Sequence, residues 1–441
     1  MGKYIWFEFK RQIGQARTWF LILLIFILSF QKILDYKTKS LTETSAINFD
    51  SLGRYMENAG SRLLDEYKDG PKESQNASNV LIDIGTQMRI AAKEEDYTEW
   101  ERLASFGYLI RGKAAVQRFG GLREESFRIK SMKFWDEVNG GIEYEDIDFK
   151  FGVLGSTREK VDTYLITAKY YNILYKNNLQ PVEKYHMDSM MFLYHYFNHI
   201  IPIVIGFIIL AIIFNSINDE WNTGSLKLIL TQPFSRNKYL GSKTIVGILI
   251  SLFIIIIPAS IISIGYGVID GFENYNYPVL FMKDTMITFK SLPDYLEKDI
   301  ETRGYNDSLG ISLYASAEGG DRDINKKLDF ISLYKLLLLA LVLLVSSVIF
   351  YVTLNLFISS IAKNPVIGFV FSGLITLVGT ILSKKWTIKG GYNLSPFYMN
   401  NPVRILNGTY RVTALAALSV LLITALFIFL CNVIYYRGKD L

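Results

Sequence analysis

Three histidines, His186, His195 and His199, fall within one short stretch that also carries Glu183 and Asp188. His195 and His199 stand four apart, so a helix would place both imidazoles on one face, a spacing that suits a divalent metal. Tyr185, Phe192, Tyr194, Tyr196 and Phe197 surround them, and amphipathic rings at that density settle where a membrane meets water. The stretch reads as an aromatic belt. No metal is expected, and His195 and His199 are the only candidates for one.

Other chemistry is missing. There is no glycine-lysine phosphate loop, serine nucleophile elbow or metalloprotease histidine pair. Cys431 is the sole cysteine, which excludes an intrachain disulfide and a thiolate cluster. The chain therefore has no cofactor of its own. A net charge of +5, without a basic run interleaved with aromatics, argues against nucleic acid.

The most informative segment runs from Asn218 to Arg236. Asp219 and Glu220 suit the positive N-terminal end of a short helix, Leu226, Ile229 and Leu230 recur at helical spacing, and Pro233 ends the run. Ser235 can cap the following helix, into which Lys238 and Lys243 lead. Such a proline-bounded amphipathic helix is either a connector lying on the membrane or a surface against which a partner pushes.

These residues must be positioned by membrane helices. Half of the 441 residues are hydrophobic, yet 47 are basic and 42 acidic, so the apolar residues must be grouped in blocks. A hydrocarbon core needs about 20 apolar residues as helix. Runs at 18–34, 192–217, 239–269, 331–361, 365–382 and 412–436 meet or approach this, which predicts an α-helical polytopic membrane protein with six transmembrane helices. The first run lacks a small-residue cleavage site and reads as a retained span. Residues 1–17 form an interfacial amphipathic helix, with Ile5, Trp6, Phe9 and Ile13 on one face and Lys3, Lys10 and Arg11 elsewhere. The basic residues near short loops place both termini in the cytoplasm. Lys384, Lys385, Lys389, Arg404 and Arg411, in an outer loop at 383–411, oppose that rule.

Residues 35–191 would then form a large extracytoplasmic domain between the first and second spans. Helical spacing in its first half and the alternation of Ile142, Tyr144, Ile147, Phe149 and Phe151 predict an α+β fold. A smaller outer cap covers 270–330, with a short helix around 292–302. Residues 218–238 are a cytoplasmic segment, and 437–441 a cytoplasmic tail.

Glu220, Gly224, Leu226, Leu230, Pro233, Ser235 and Arg236 in this order resemble the coupling segment of type-2 ATP-binding-cassette exporter permeases. The layout of amphipathic helix, span, large outer insertion and five grouped spans is similar to that family over about two thirds of the chain. The resemblance implies a second permease subunit, identical or different, and a cytoplasmic ATPase dimer that carries ATP and Mg. On this footing Glu220 would face a basic or polar group of the ATPase, Gly224 would permit close packing, and Leu226 and Leu230 would fill its groove. Trp221 falls within the same coupling surface.

The spans carry almost no charge, which suits an amphipathic or hydrophobic substrate in contact with membrane lipid better than a hydrated ion. The expected function is ATP-driven export of a peptide or peptide antibiotic across a bacterial cell membrane, in secretion or immunity. The alternatives are a sodium or drug efflux permease, a membrane-anchored sensor whose outer domain binds ligand, and an intramembrane lipid enzyme.

Overall fold

The computed structural model describes residues 2–42, 49–117, 122–149, 158–182, 185–217, 220, 236–283, 328–362, 364–383, 393–410 and 412–438. Six helices among them are long and apolar enough to cross a membrane: Ala16–Ser40, Ser189–Ile213, Arg236–Asp270, Leu333–Ile361, Pro365–Ser383 and Ala414–Arg437. They overlap the six apolar runs of the sequence.

A short helix, α1 (Gly2–Ile13), precedes α2 (Ala16–Thr42). The turn between them is locked by the Thr18 hydroxyl, which donates to the Gln12 carbonyl at 2.6 Å, and by Arg17, which donates to the Gln12 side chain at 2.9 Å. The bundle continues with α8 (Ser189–His195), a π-helical turn (Tyr196–Ile200), α9 (Ile201–Ile213), α10 (Arg236–Asp270), α11 (Leu333–Ile361), α12 (Pro365–Ser383) and α14 (Ala414–Arg437). Helix α11 lies at the centre and packs on α9, α10, α12 and α14. Two of its buried polar residues bond neighbouring helices: Asn355 bonds Ser372 of α12, and Ser360 donates to Asn432 of α14 at 2.7 Å. In an apolar surrounding such bonds hold helices together. The outward faces of α12 and α14 are apolar, with Val370, Phe371, Ile423 and Phe427 exposed, as a lipid-facing surface requires.

Two prolines, Pro202 and Pro258, interrupt the spans, and side chains bond the carbonyls near each. Pro202 withholds the α-helical donor from the carbonyl of Asn198. The Asn401 amide supplies it instead, at 2.9 Å. Pro258 lies inside α10, where the Tyr196 hydroxyl donates to the Ile255 carbonyl in the same turn at 2.6 Å.

Asn401 belongs to the stretch expected to be an outer loop. Its described residues 393–410 are not extended but fold into a 3-10 turn (Tyr398–Asn400) and α13 (Pro402–Leu406), packed among the spans with Met399, Val403, Ile405 and Leu406 buried. A polar-looking sequence hides the burial because its asparagines satisfy backbone groups of the bundle rather than water. Arg404 lies against the Tyr410 ring, 6.0 Å from its centroid. Lys384, Lys385, Lys389 and Arg411 lie outside the described residues.

Between α2 and α8 sits a separate helical unit: α3 (Phe49–Glu66), α4 (Lys72–Lys93), α5 (Tyr97–Gln117), α6 (Leu122–Val138) and α7 (Arg158–Asn177). Its core is formed by Trp100, Trp135, Phe106, Phe149, Met56 and Met88. Helices α3 and α4 meet at Gly53 and Gly85; a Cβ on Gly85 would stand 2.6 Å from the Gly53 carbonyl oxygen, so no side chain fits there. The expected α+β fold is not what the described residues show, for they contain no strand in this unit. Tyr144–Asp146 form a 3-10 turn instead, and Tyr144, Ile147 and Phe149 alternate inward because they plug a helical core. Phe151 lies outside the described residues.

The sheet lies elsewhere. β1 (Pro278–Met282) and β2 (Leu328–Ser332) pair antiparallel after α10 and run directly into α11. Asp329 of β2 binds Lys169 of α7 and Lys283, and the hydroxyls of Tyr170 and Tyr277 bond each other, so this ribbon fastens the helical unit to the bundle. The short helix expected around 292–302 lies outside the described residues.

Candidate functional site

A cluster of buried charges lies where α1 crosses the start of α10. Glu8, Glu220 and Lys243 are each at least 95 % buried. The Lys243 ammonium stands 2.8 Å from Glu8 Oε1 and 2.6 Å from Glu220 Oε1. Arg11 binds Glu8 and lies 3.6 Å from Glu220, which balances two carboxylates with two cations. The second oxygen of Glu220 accepts from the Tyr239 hydroxyl. Charges so deeply buried are tolerated only when paired, and removal of one partner leaves a costly orphan.

The local sequence accounts for each position. Glu8 and Gln12 are four apart and form the one polar stripe of α1 that turns inward. Tyr239 and Lys243 repeat this spacing on the first turns of α10, and the Tyr239 ring stacks on Tyr436 of α14 with centroids 5.9 Å apart. Burial, with Glu220 and Glu8 nearby, raises the Tyr4 hydroxyl well above its usual range, so it stays protonated.

The interfacial-helix residues divide between two faces. Trp6 is exposed, whereas Phe9 turns inward and meets Phe253 edge-on at 6.2 Å. Lys10 is exposed and Arg11 points to the carboxylates. Of the coupling residues, Glu220 and Arg236 are described; Trp221, Gly224, Leu226, Leu230, Pro233 and Ser235 lie outside the described residues. The resemblance set Glu220 against an ATPase group, but its carboxylate is held by Lys243 and Tyr239 of its own chain. Arg236 donates to the carbonyls of Tyr436 and Arg437 at 3.2 and 3.0 Å, where a cation suits the negative end of α14. Both flanks of 221–235 are thus fastened to the same knot.

Sequence reasoning missed Glu8, Gln12 and Tyr239, and placed Lys243 only in the helix that follows Ser235. One signal was available: Glu8 is the sole acid in the first 34 residues, within an otherwise basic helix. Its partner 235 positions away was not legible.

The histidines sit at the other end of the bundle. His195 is buried with its Nδ1 3.3 Å from the Tyr36 hydroxyl, and its ring stacks on His199 at 5.8 Å. His186 is exposed and lies 3.3 Å from Asp188. Among the described residues no group of three or more His, Cys, Asp or Glu could hold a metal. The carboxylate of Asp188 caps α8, accepting from the amides of Met190 and Met191 at 2.8 Å. Burial pushes this carboxyl up, and the bonds from His186, the Met191 amide and Asn274 together outweigh it and hold it below its ordinary value.

A sequence model described as ABC-2 family transporter protein matches residues 4–440. No curated protein and no solved structure matches the chain. The chain belongs to the ABC-2 transporter family, whose members are multi-pass permeases that are not themselves catalytic and normally work with an ATPase subunit.

Proposed function

We propose that this ABC-2 family chain is the permease of an ATP-driven exporter, with six spans, both termini cytoplasmic and the helical unit α3–α7 outside the cell membrane. Two permeases, identical or different, pair in the lipid and receive force from a cytoplasmic ATPase dimer, which carries the ATP and Mg. The observation that carries this reading is the double anchorage of residues 221–235. Their leading flank, Glu220, is bound to Lys243 of α10 and through it to Glu8 of α1. Their trailing flank, Arg236, is bound to the end of α14. A displacement of the intervening segment, where Trp221, Gly224, Leu226 and Leu230 would meet the ATPase, is therefore delivered to three helices at once.

The cargo is an amphipathic or hydrophobic peptide, a peptide antibiotic being the leading case, in secretion or immunity. The spans carry serine, threonine and asparagine and almost no carboxylates, which favours such a cargo over sodium. A hydrophobic drug suits the same composition and is the second cargo to test.

The test is co-purification and transport. The ATPase encoded beside this chain should stay bound in detergent, and Leu226→Asp should release it while insertion into the membrane is unchanged. Stable purification without any ATPase, together with ATP-independent activity, would overturn the reading.

A further inference from the structure

Between the helical unit and the bundle lies a cleft of about 810 Å³ that the coupling argument does not use. This is within the usual size of a ligand site, and junctions between domains are where such sites form. Its walls are the starts of α3 and α5, the end of α7 with residues 178–182, and the turn that follows α10.

Amide side chains dominate the lining. Asn178 and Asn274 adopt left-handed backbone conformations, φ 50° and 60°, at the two turns that form the rim. Asn178 accepts from the Thr98 hydroxyl at 2.8 Å, and Asn274 donates to Asp188 at 2.7 Å. Each of these bonds uses one end of an amide, and the other end makes no hydrogen bond among the described residues. Gln180 and Asn276 also line it and make no hydrogen bond among the described residues. An amide presents a donor and an acceptor side by side, which is the complement of a peptide group. Aromatic surface stands beside them: the rings of Phe49 and Tyr97 lie 4.8 Å apart, and Tyr275 is half exposed on the opposite wall. The single lining carboxylate is Glu273, which forms no ion pair among the described residues.

We propose that this cleft binds a short extended peptide, with backbone amides paired to Gln180, Asn276 and the open ends of Asn178 and Asn274, side chains on the aromatic walls, and a free amine at Glu273. The peptide class of the ligand rests on the transport reading, whereas the binding itself belongs to this chain alone. The floor of the cleft gives occupancy a consequence. Asn274 and His186 both hold Asp188, and Asp188 caps α8, so a bound peptide touches the groups that fix the start of the second candidate span.

The experiment is calorimetric titration of the full chain in detergent, without ATPase, with penta-alanine. Saturable binding is expected. The double variant Gln180→Ala/Asn276→Ala removes an exposed and a half-buried amide that support no other group among the described residues, and should weaken binding about tenfold without lowering the melting temperature. N-acetylated penta-alanine should bind less tightly to the wild type, and Glu273→Gln should erase that difference. Absence of saturable heat, equal affinity in the double variant, or binding of chitotetraose in place of the peptide would each overturn the proposal. Binding by a chain that recruits no ATPase would sink the exporter reading and leave the cleft assignment standing.

Discussion

The side-chain amide of Asn401 donates to the backbone carbonyl of Asn198 across 2.9 Å, replacing the helical donor that Pro202 cannot supply. Two segments 203 positions apart in sequence are joined by this bond. It explains how a span survives a π-helical turn followed by a proline in a setting without water. An unpaired buried carbonyl costs about 1–3 kcal/mol.

Asn401→Leu should therefore destabilise the chain by about that amount, and Asn401→Gln only partly restore it because the longer side chain misplaces the donor. Thermal unfolding in detergent measures the loss. Hydrogen exchange should rise at residues 196–203 first.

Lys243→Met leaves Glu8 and Glu220 facing each other with only Arg11 between them. Breaking a buried ion pair from one side costs about 3–5 kcal/mol, so the variant should be poorly stable at neutral pH. Replacing both acids as well, in Glu8→Gln/Glu220→Gln/Lys243→Met, should recover most of the melting temperature. Transport should stay impaired in the triple variant if the knot transmits force, and a fully active triple variant would assign it to stability alone.

Two buried groups of the helical unit give opposite pH dependences. Burial lifts the Glu101 carboxyl from 4.5 to about 9, so the folded chain retains a proton that the unfolded chain releases. Its contribution is fully present below pH 4.5 and is lost as pH rises toward 9. Burial lowers the Lys113 ammonium from 10.5 to about 8, despite the nearby carboxylates of Asp148 and Glu145. Between pH 8 and 10.5 the unfolded chain holds the extra proton there, so stability rises with pH across that window. Glu101→Gln should raise stability at pH 8 and flatten the first slope; Lys113→Met should remove the second. Exchange of α5 amides, followed from pH 6 to 10 in the full chain, resolves the two.

Gly85→Val should separate α3 from α4, because its side chain would occupy the place of the Gly53 carbonyl. A loss of about 1–3 kcal/mol is expected from such overpacking. It should appear as proteolysis between residues 49 and 93 while the spans remain intact.

Much of the bundle was legible because a hydrocarbon environment leaves a blunt signature: long apolar runs with few charges. The strand expected from Ile142 to Phe149 is absent among the described residues because alternating buried residues signify a strand only when another strand stands beside them. Around Tyr144 and Phe149 the neighbours are helices, and this lies in the tertiary structure.

By itself the sequence determined that this chain resides in a membrane, where its apolar runs lie, and that it holds no nucleotide loop, disulfide or thiolate cluster. Composition and short-range spacing suffice for those conclusions. Only the tertiary structure decided that Glu8 would meet Lys243, that residues 393–410 would be buried among the spans, and that the amides of Gln180 and Asn276 would line one cleft. Each of these depends on groups distant in the chain being brought together. Their pairing is set by the geometry of packed helices, which no local pattern of residues encodes.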